Sequence, residues 1–345
     1  MTRKILAGSL ALTPIALLAH YLFHVSDTLT FVLAALALMP LAWLIGEATE
    51  HVGEHVGPGI GGFFNASFGN APELIIALIA VANGLPDVVR GSIIGSVVSN
   101  LLLVLGLTMI AGGRGEMDRR SLFLQLAIVM AATIGFLIPS LPGWDGDPDR
   151  HTLYLVTLPV AVAVLALYVG ITVYNLRRHH AEHVTAAADT AWSMRTALVV
   201  LGVATVATAL VSEMLVGSLE AFGEAAGMSD FFVAIVIVAM VGNAAEHGGA
   251  IVVARRGKTK LATEIAVSSA AQVAVFVAPA AALLSFVIGT GLPLAFRPIE
   301  LAAMAGATIV VSAMVLDGRS QRWKGYALVG VYAVAVAAFW MAGDR

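Results

Sequence analysis

Eleven apolar runs, each about twenty residues long, constrain this chain more than any other feature. They lie at roughly 5–24, 29–52, 60–82, 88–111, 120–141, 151–175, 196–222, 230–255, 262–288, 297–316 and 323–342. Runs of this length match a hydrocarbon core of about 30 Å crossed by a helix. Of 345 residues, 59% are hydrophobic and 12% charged, and the mean hydropathy is +0.92, beyond the range of a water-soluble domain. The expectation is an all-α membrane protein of about eleven transmembrane helices. The first run follows Arg3 and Lys4 but is long and lacks a small-residue cleavage site, so it reads as a helix and not as a signal peptide. Cysteine is absent, which excludes disulfides, thiolate metal sites and thiol redox chemistry.

The charges orient the spans. With the N-terminus in the cytoplasm, fifteen of the nineteen basic residues fall on the inner side, leaving Arg90, Arg150, Arg297 and Arg345 outside with the acidic turn Asp145, Asp147, Asp149. This agrees with the positive-inside rule and puts the C-terminus outside.

Two segments nearly repeat each other: Gly69-Asn70-Ala71-Pro72-Glu73 and Gly242-Asn243-Ala244-Ala245-Glu246. The match extends downstream, because Ser96 and Ser269 each follow their glutamate by 23 residues, and Ser99 and Gln272 by 26. Shared spacing across a helix, a connection and the next helix indicates duplicated structure. Each half holds five spans, an odd number, so the two halves run antiparallel. The expected organisation is an N-terminal helix (1–28), a first five-helix repeat (29–176), a cytoplasmic linker (177–195) and a second, inverted five-helix repeat (196–345). Inverted repeats typify secondary transporters, whose sites lie near the midplane on interrupted helices. Pro72 removes a backbone N–H and disfavours a helical Ala71, and Gly59, Gly61, Gly62 and Gly69 weaken the same span.

An acidic side chain at membrane depth is costly and marks a cavity, an ion or a partner. Glu73 and Glu246 supply two hard carboxylates, with Asn70 and Asn243 three residues earlier on the same helical face. Oxygen donors of this kind suit Ca²⁺, which takes six to eight. Without a cation, two neighbouring carboxylates in a low-dielectric cavity cannot both stay ionised easily, so protons compete for the same oxygens. The alternative, carboxylates buried as ion-pair partners of Arg or Lys, is disfavoured because no basic residue falls in the middle of a span.

On these residues the chain resembles the Ca²⁺/H⁺ antiporters, the cation/proton exchanger branch of the cation/Ca²⁺ exchanger superfamily. The resemblance is carried by Gly57-Pro58 with Gly61-Gly62, by Phe64-Asn65-Ala66-Ser67-Phe68-Gly69-Asn70-Ala71-Pro72-Glu73, by Gly95-Ser96-Val97-Val98-Ser99-Asn100, by Gly242-Asn243-Ala244-Ala245-Glu246-His247 and by Gln272 before Val273-Ala274-Val275-Phe276-Val277-Ala278-Pro279. It covers about residues 40–340. It implies an eleven-helix fold and a cation site centred on Glu73 and Glu246, helped by Asn70, Asn243, Ser96, Ser99, Ser269 and Gln272. The chain departs from the family at Pro72, where a small or hydroxyl residue is usual, and at Ser268-Ser269-Ala270, where Gly-Ser-Ser is typical.

Further polar residues suggest a pathway. Glu47, Glu50, His51 and Glu54 share one helical face by spacing, and read either as a cytoplasmic vestibule for cations and protons or as a solvated helix end, with Glu50 the member favoured for function. Glu213 and Glu220 repeat the seven-residue spacing of Glu47 and Glu54 in the second half. His247 adjoins Glu246 and either tunes its proton affinity or is structural. Arg177, Arg178, His179, His180, Glu182 and His183 read as a solvated, headgroup-facing linker. Glu264, Glu300 and Asp317 read as solvated helix ends.

No nucleotide-binding or nucleophile motif is present, so the chain reads as no enzyme and needs no cofactor. The expected activity is secondary export of cytoplasmic Ca²⁺ against H⁺, with Mn²⁺ or Na⁺ as alternative cations, a bilayer as surroundings and no nucleic-acid partner. The rivals are a Na⁺/Ca²⁺ exchanger of the same superfamily and a cation channel, which would conduct without counter-ion coupling. The short N-terminus favours a prokaryotic plasma membrane.

Overall fold

The computed structural model describes residues 7–56, 64, 67–145, 151–178 and 192–343. Gly57, Pro58, Gly59, Gly61, Gly62, Asn65, Ala66, Asp147, Asp149, Arg150, His179, His180, Glu182, His183 and the charged residues at both termini lie outside the described residues. The described chain is almost wholly helical. Its helices are α1 (Leu12–Tyr21), α2 (Asp27–Val56), α3 (Ala71–Ala82), α4 (Pro86–Gly112), α5 (Arg119–Trp144), α6 (His151–Arg178), α7 (Met194–Gly217), α8 (Leu219–Ala226), α9 (Asp230–Gly242), α10 (Ala244–Arg255), α11 (Thr259–Ile288), α12 (Pro298–Met314) and α13 (Arg322–Ala342).

Seven of these helices are long and apolar enough to cross a membrane, and an eighth span arises if α8 and α9, bent by 110°, count together. The eleven continuous spans expected from hydropathy therefore differ from the helices formed. Span 230–255 breaks at Asn243 into α9 and α10, span 196–222 stops at Gly217, and in span 60–82 the helix α3 starts at Ala71. The first span and span 297–316 are short apolar helices as well. A hydropathy window averages over a break, because the residues at a break here are as apolar or small as their neighbours.

α4 and α11 are the most enclosed of the seven, and each contains a wider, π-helical stretch: Ser99–Val104 in α4 and Val273–Val277 in α11. α9 has a third, Val233–Val238. π-Bulges are short insertions that recur at functional sites. α2 and α7 pack along one another on one flank of this centre.

The connections gather at two ends. At one, β1 (Gly115–Glu116) pairs antiparallel with β2 (Arg319–Ser320), and Lys260 contacts Asp118 at 2.9 Å. This end carries Arg114, Arg119, Arg120, Arg255, Arg256, Lys258, Lys260, Arg319, Arg322 and Lys324. Lys324 is only 4% exposed and is held by Asp317 at 2.5 Å and by the Arg319 carbonyl at 2.9 Å.

At the opposite end Arg297 donates to the Gly343 and Ala342 carbonyls at 2.8 and 3.2 Å, and the Trp144 indole to the Phe296 carbonyl at 2.9 Å. Two buried charged residues stand out here. Arg90 is completely buried, paired with Asp87 at 2.7 Å and donating to the Pro293 carbonyl at 3.3 Å. Glu300 is not a solvated helix end; it is buried, and its carboxylate accepts the Arg297 N–H at the start of α12.

Candidate cation site

Each Gly-Asn-Ala-x-Glu segment forms the same local structure. Asn70 and Asn243 sit just before a twelve-residue half-helix, α3 and α10, with backbone angles of −95°, 16° and −89°, 8°. Their carbonyls accept the first helical bonds, from Leu74 at 3.2 Å and His247 at 3.0 Å. Neither side chain caps its own helix. An asparagine at this position ordinarily accepts a first-turn N–H; here both amides reach across to the other half of the chain instead.

The cross-links are specific. Asn70 Nδ2 donates to Gln272 Oε1 at 2.8 Å, and Asn243 Nδ2 to Ser96 Oγ at 2.7 Å. Asn100 Nδ2 donates to both Asn243 Oδ1 and Ser269 Oγ, each at 3.0 Å. Ser269 Oγ in turn donates to Glu246 Oε2, and Gln272 Nε2 to Ser268 Oγ at 3.2 Å. Asn70, Asn243, Ser96, Ser99, Asn100 and Ser269 are all buried. Ser99 is turned onto its own helix, where it donates to the Ser96 carbonyl at 3.2 Å at the start of the π-helical stretch.

Glu73 and Glu246 both lie in the first turn of their half-helices and are close enough to feel each other's charge. Glu73 lies against Gly242. Together with Ser92, Ser96, Ile76, Ala239 and Val273 it lines a small cavity, with room for about one water molecule. Glu73 Oε2 is buried there without a hydrogen-bond partner. A helix N-terminus stabilises a carboxylate by about 0.3–1 kcal/mol, whereas removing an ion from water costs several kcal/mol. The half-helix dipoles alone therefore leave this pair of carboxylates uncompensated; a proton or a cation must make up the difference. Among the described residues no group of three or more His, Asp or Glu is placed to hold a metal ion. The remaining ligands of any cation held here are thus neutral oxygens, a hard set that suits Ca²⁺ better than zinc or copper.

Of the residues picked out by spacing, Glu73, Asn70, Ser96, Glu246, Asn243, Ser269 and Gln272 converge on this centre. Asn100, Ser92 and Ser268 belong to it too, although spacing between the repeats did not single them out. His247 is half-buried with an unpartnered, buried Nε2. The other pathway residues lie elsewhere. His51 bridges Glu54 at 3.1 Å and Glu47 at 3.8 Å and stacks on Trp192 with ring centroids 4.7 Å apart, while Glu50 is exposed. Glu213 and Glu220 are exposed and sit on separate helices, so they do not reproduce the single-helix arrangement of Glu47 and Glu54.

The same family model, described as sodium/calcium exchanger protein, matches residues 26–177 and again residues 196–341. The chain belongs to the sodium/calcium exchanger protein family. Among relatives of this exchanger-family protein, the Ca²⁺/H⁺ antiporter of Aphanothece halophytica is 34% identical, with 96% of this chain and 95% of that protein covered. The Ca²⁺/H⁺ antiporter ChaA of Bacillus subtilis is 35% identical, covering 93% of this chain and 94% of its own. The solved structure of native YfkE superposes with a TM-score of 0.83 at 32% identity, over 99% of this chain and 100% of that one.

Proposed function

We propose that this protein is a Ca²⁺/H⁺ antiporter in which cation and protons compete for Glu73 and Glu246. The observation that carries the mechanism is the buried, unpartnered Glu73 Oε2 in a cavity whose wall includes Gly242, four residues before Glu246 in the matching segment. Its full-length similarity to proteins named Ca²⁺/H⁺ antiporters supports the choice of ions.

The residues divide the work. With both carboxylates ionised, Glu73 and Glu246 neutralise a divalent cation, and oxygens of Asn70, Asn243, Ser96, Ser269, Gln272 and Asn100 complete its shell. Ser99 holds the turn from which Ser96 projects. Cation entry requires the amides to exchange partners, because Asn243 Oδ1 and Gln272 Oε1 accept hydrogen bonds from Asn100 and Asn70 in the arrangement seen. When protons arrive, each carboxyl becomes neutral, and the amide and hydroxyl network closes on itself. The cation and the protons therefore cannot occupy the pair together, which is the requirement for exchange.

The architecture we propose is an N-terminal helix followed by two inverted halves, 29–176 and 196–345, that each contribute one broken helix. In its support, one family model matches both halves, and the π-helical stretches of α4 and α11 begin 26 and 27 residues after their glutamates. The end bearing β1, β2 and most of the basic residues faces the cytoplasm, by the positive-inside rule. Cytoplasmic Ca²⁺ then leaves through a bacterial plasma membrane, past the vestibule of Glu47, His51 and Glu54.

Transport in proteoliposomes tests this reading. Ca²⁺ uptake should follow an imposed pH gradient, vanish when that gradient is collapsed and ignore a Na⁺ gradient. Glu246→Gln should lose exchange while the protein stays folded. Uptake at the wild-type rate by Glu246→Gln would contradict the mechanism, and uptake driven by Na⁺ alone would turn the reading to Na⁺/Ca²⁺ exchange.

A further inference from the structure

The pairing of β1 with β2 joins connections from the two halves of the chain, and in doing so it crowds like charges. Gly115 stands opposite Ser320 and Glu116 opposite Arg319, which draws Arg114 and Arg319 to one corner. The Arg322 guanidinium lies over Gly113, its Nε 3.5 Å from where a Cβ would stand. Arg119 enters from the far side of the turn, its Cβ 3.7 Å from the corresponding point at Gly318. All four arginines are exposed. The nearby carboxylates are engaged elsewhere. Asp118 accepts the Ser121 N–H at 3.1 Å and contacts Lys260 at 2.9 Å, Asp317 holds Lys324, and Glu116 is close enough to Lys260 to act on its charge. Among the described residues none of the four arginines has an ion-pair partner.

Two of these arginines also open helices. Arg119 begins α5 and Arg322 begins α13, neither first turn contains an acidic residue, and no side chain caps α13. A helix N-terminus carries partial positive charge, so a cation there is unfavourable and an anion favourable. The positive-inside rule accounts for the sign of this end. It does not account for guanidinium groups gathered at one β-pair and two helix starts without a counter-charge. The surroundings are those of a headgroup layer. The Arg119 guanidinium turns along α5 onto the Phe123 ring, 5.6 Å from its centre and one turn further into the apolar helix. Trp323 and Tyr326 are exposed in the first two turns of α13, and such rings favour the membrane–water boundary.

We propose that the β1–β2 corner binds the headgroup of an acidic phospholipid, its phosphodiester held by Arg119 and Arg322 with Arg114 and Arg319 beside them, and its acyl chains running past Trp323 and Tyr326. Arginine suits such a group because its planar fork offers paired hydrogen bonds to two phosphate oxygens. The bound anion offsets the repulsion that the β-pair concentrates, and so ties α5 of the first half to α13 of the second. The ligand is a lipid of the leaflet at this end, because the arginines adjoin aromatic rings at the apolar boundary. None of these residues belongs to the cation centre, so the site stands whichever ions are exchanged there.

Trp323 can report on its lipid neighbours, since bromine on an acyl chain quenches a nearby indole. The full-length protein and Trp323→Phe are reconstituted in mixtures of phosphatidylcholine and phosphatidylglycerol with one lipid or the other brominated, and the Trp323 signal is taken by difference. Brominated phosphatidylglycerol should quench Trp323 at a smaller share of the bilayer than brominated phosphatidylcholine. Arg119→Gln and Arg322→Gln should each cut that preference by about fivefold. Arg195→Gln, at the start of α7 on the α2/α7 flank, should leave it unchanged. Equal quenching by the two lipids would overturn the proposal, and this comparison keeps all four arginines, so it stands even where an arginine variant fails to fold. A loss in Arg195→Gln as large as in Arg322→Gln would also overturn it, because surface charge in general would then attract the lipid. Inorganic phosphate should lower the preference no more than chloride at equal ionic strength. A loss specific to phosphate would overturn the lipid assignment in favour of a soluble anion.

Discussion

The Asn100 amide nitrogen is shared between Asn243 Oδ1 and Ser269 Oγ, while its Oδ1 is buried without a partner. A buried polar group that loses its partner costs about 1–3 kcal/mol. Asn100→Ala strips a donor from two such groups at once, so Ca²⁺ exchange should fall by about tenfold or more, measured as initial uptake under a fixed pH gradient. An unchanged rate would remove Asn100 from the site. The sequence comparison between halves passes over this residue for a physical reason: 27 residues after Glu246 stands Val273, so Asn100 has no polar counterpart. Its signals were an amide set among leucines and valines and its place at the end of the Gly95–Asn100 run that carries the family resemblance. Glu73 and Glu246, by contrast, were legible from the cost of a carboxylate in an apolar run, and Ser96, Ser269 and Gln272 from their repeated spacing. Glu300 was misjudged as interfacial because its partner, the Arg297 N–H, comes from backbone in the 289–297 connection.

At the scale of the helix, the two breaks look alike although only one contains a proline. Asn243 precedes Ala244 and Ala245, and α10 nevertheless begins where α3 does relative to its glutamate. The break therefore depends on the asparagine and its cross-link, with Pro72 fitting the first turn of α3, a position where proline is tolerated. Pro72→Ala should accordingly retain exchange within about fivefold, a change of about 1 kcal/mol. Loss of transport in this variant would show that the proline makes the break. Helix existence was readable from hydropathy, and so was the weakness near Pro72. The break at Asn243 was not, because it depends on contacts with Ser96 and Asn100 far away in the chain; the stop at Gly217 and the three π-helical stretches leave no mark in the apolar pattern.

For the whole molecule, the arrangement of connections at two ends agrees with the charge pattern, with one end gathering most of the basic residues. Its coherence depends on contacts such as Asp317–Lys324, which fixes a nearly buried ammonium. The Lys324 hydrogen bond, helped by the Arg319 N–H, holds the Asp317 carboxyl below the usual carboxylate range. A depressed folded-state value means that the stabilisation is complete above the unfolded-state pKa and is lost as pH falls through the folded one. Asp317→Asn should therefore lower the thermal midpoint by roughly 2–4 °C at neutral pH, modestly because the carboxylate is half exposed. That difference from wild type should shrink in acid below the usual carboxylate range; a difference that persists or grows there would contradict the assignment.

The central claim, that one cation and protons compete for Glu73 and Glu246, is most directly tested by Ca²⁺ titration of the purified protein at several pH values, with released protons counted. The account predicts that Ca²⁺ binding expels protons and weakens as pH falls, and that Glu73→Gln and Glu246→Gln each reduce both the affinity and the proton count. Ca²⁺ binding of unchanged affinity across the pH range, with no proton released, would contradict it.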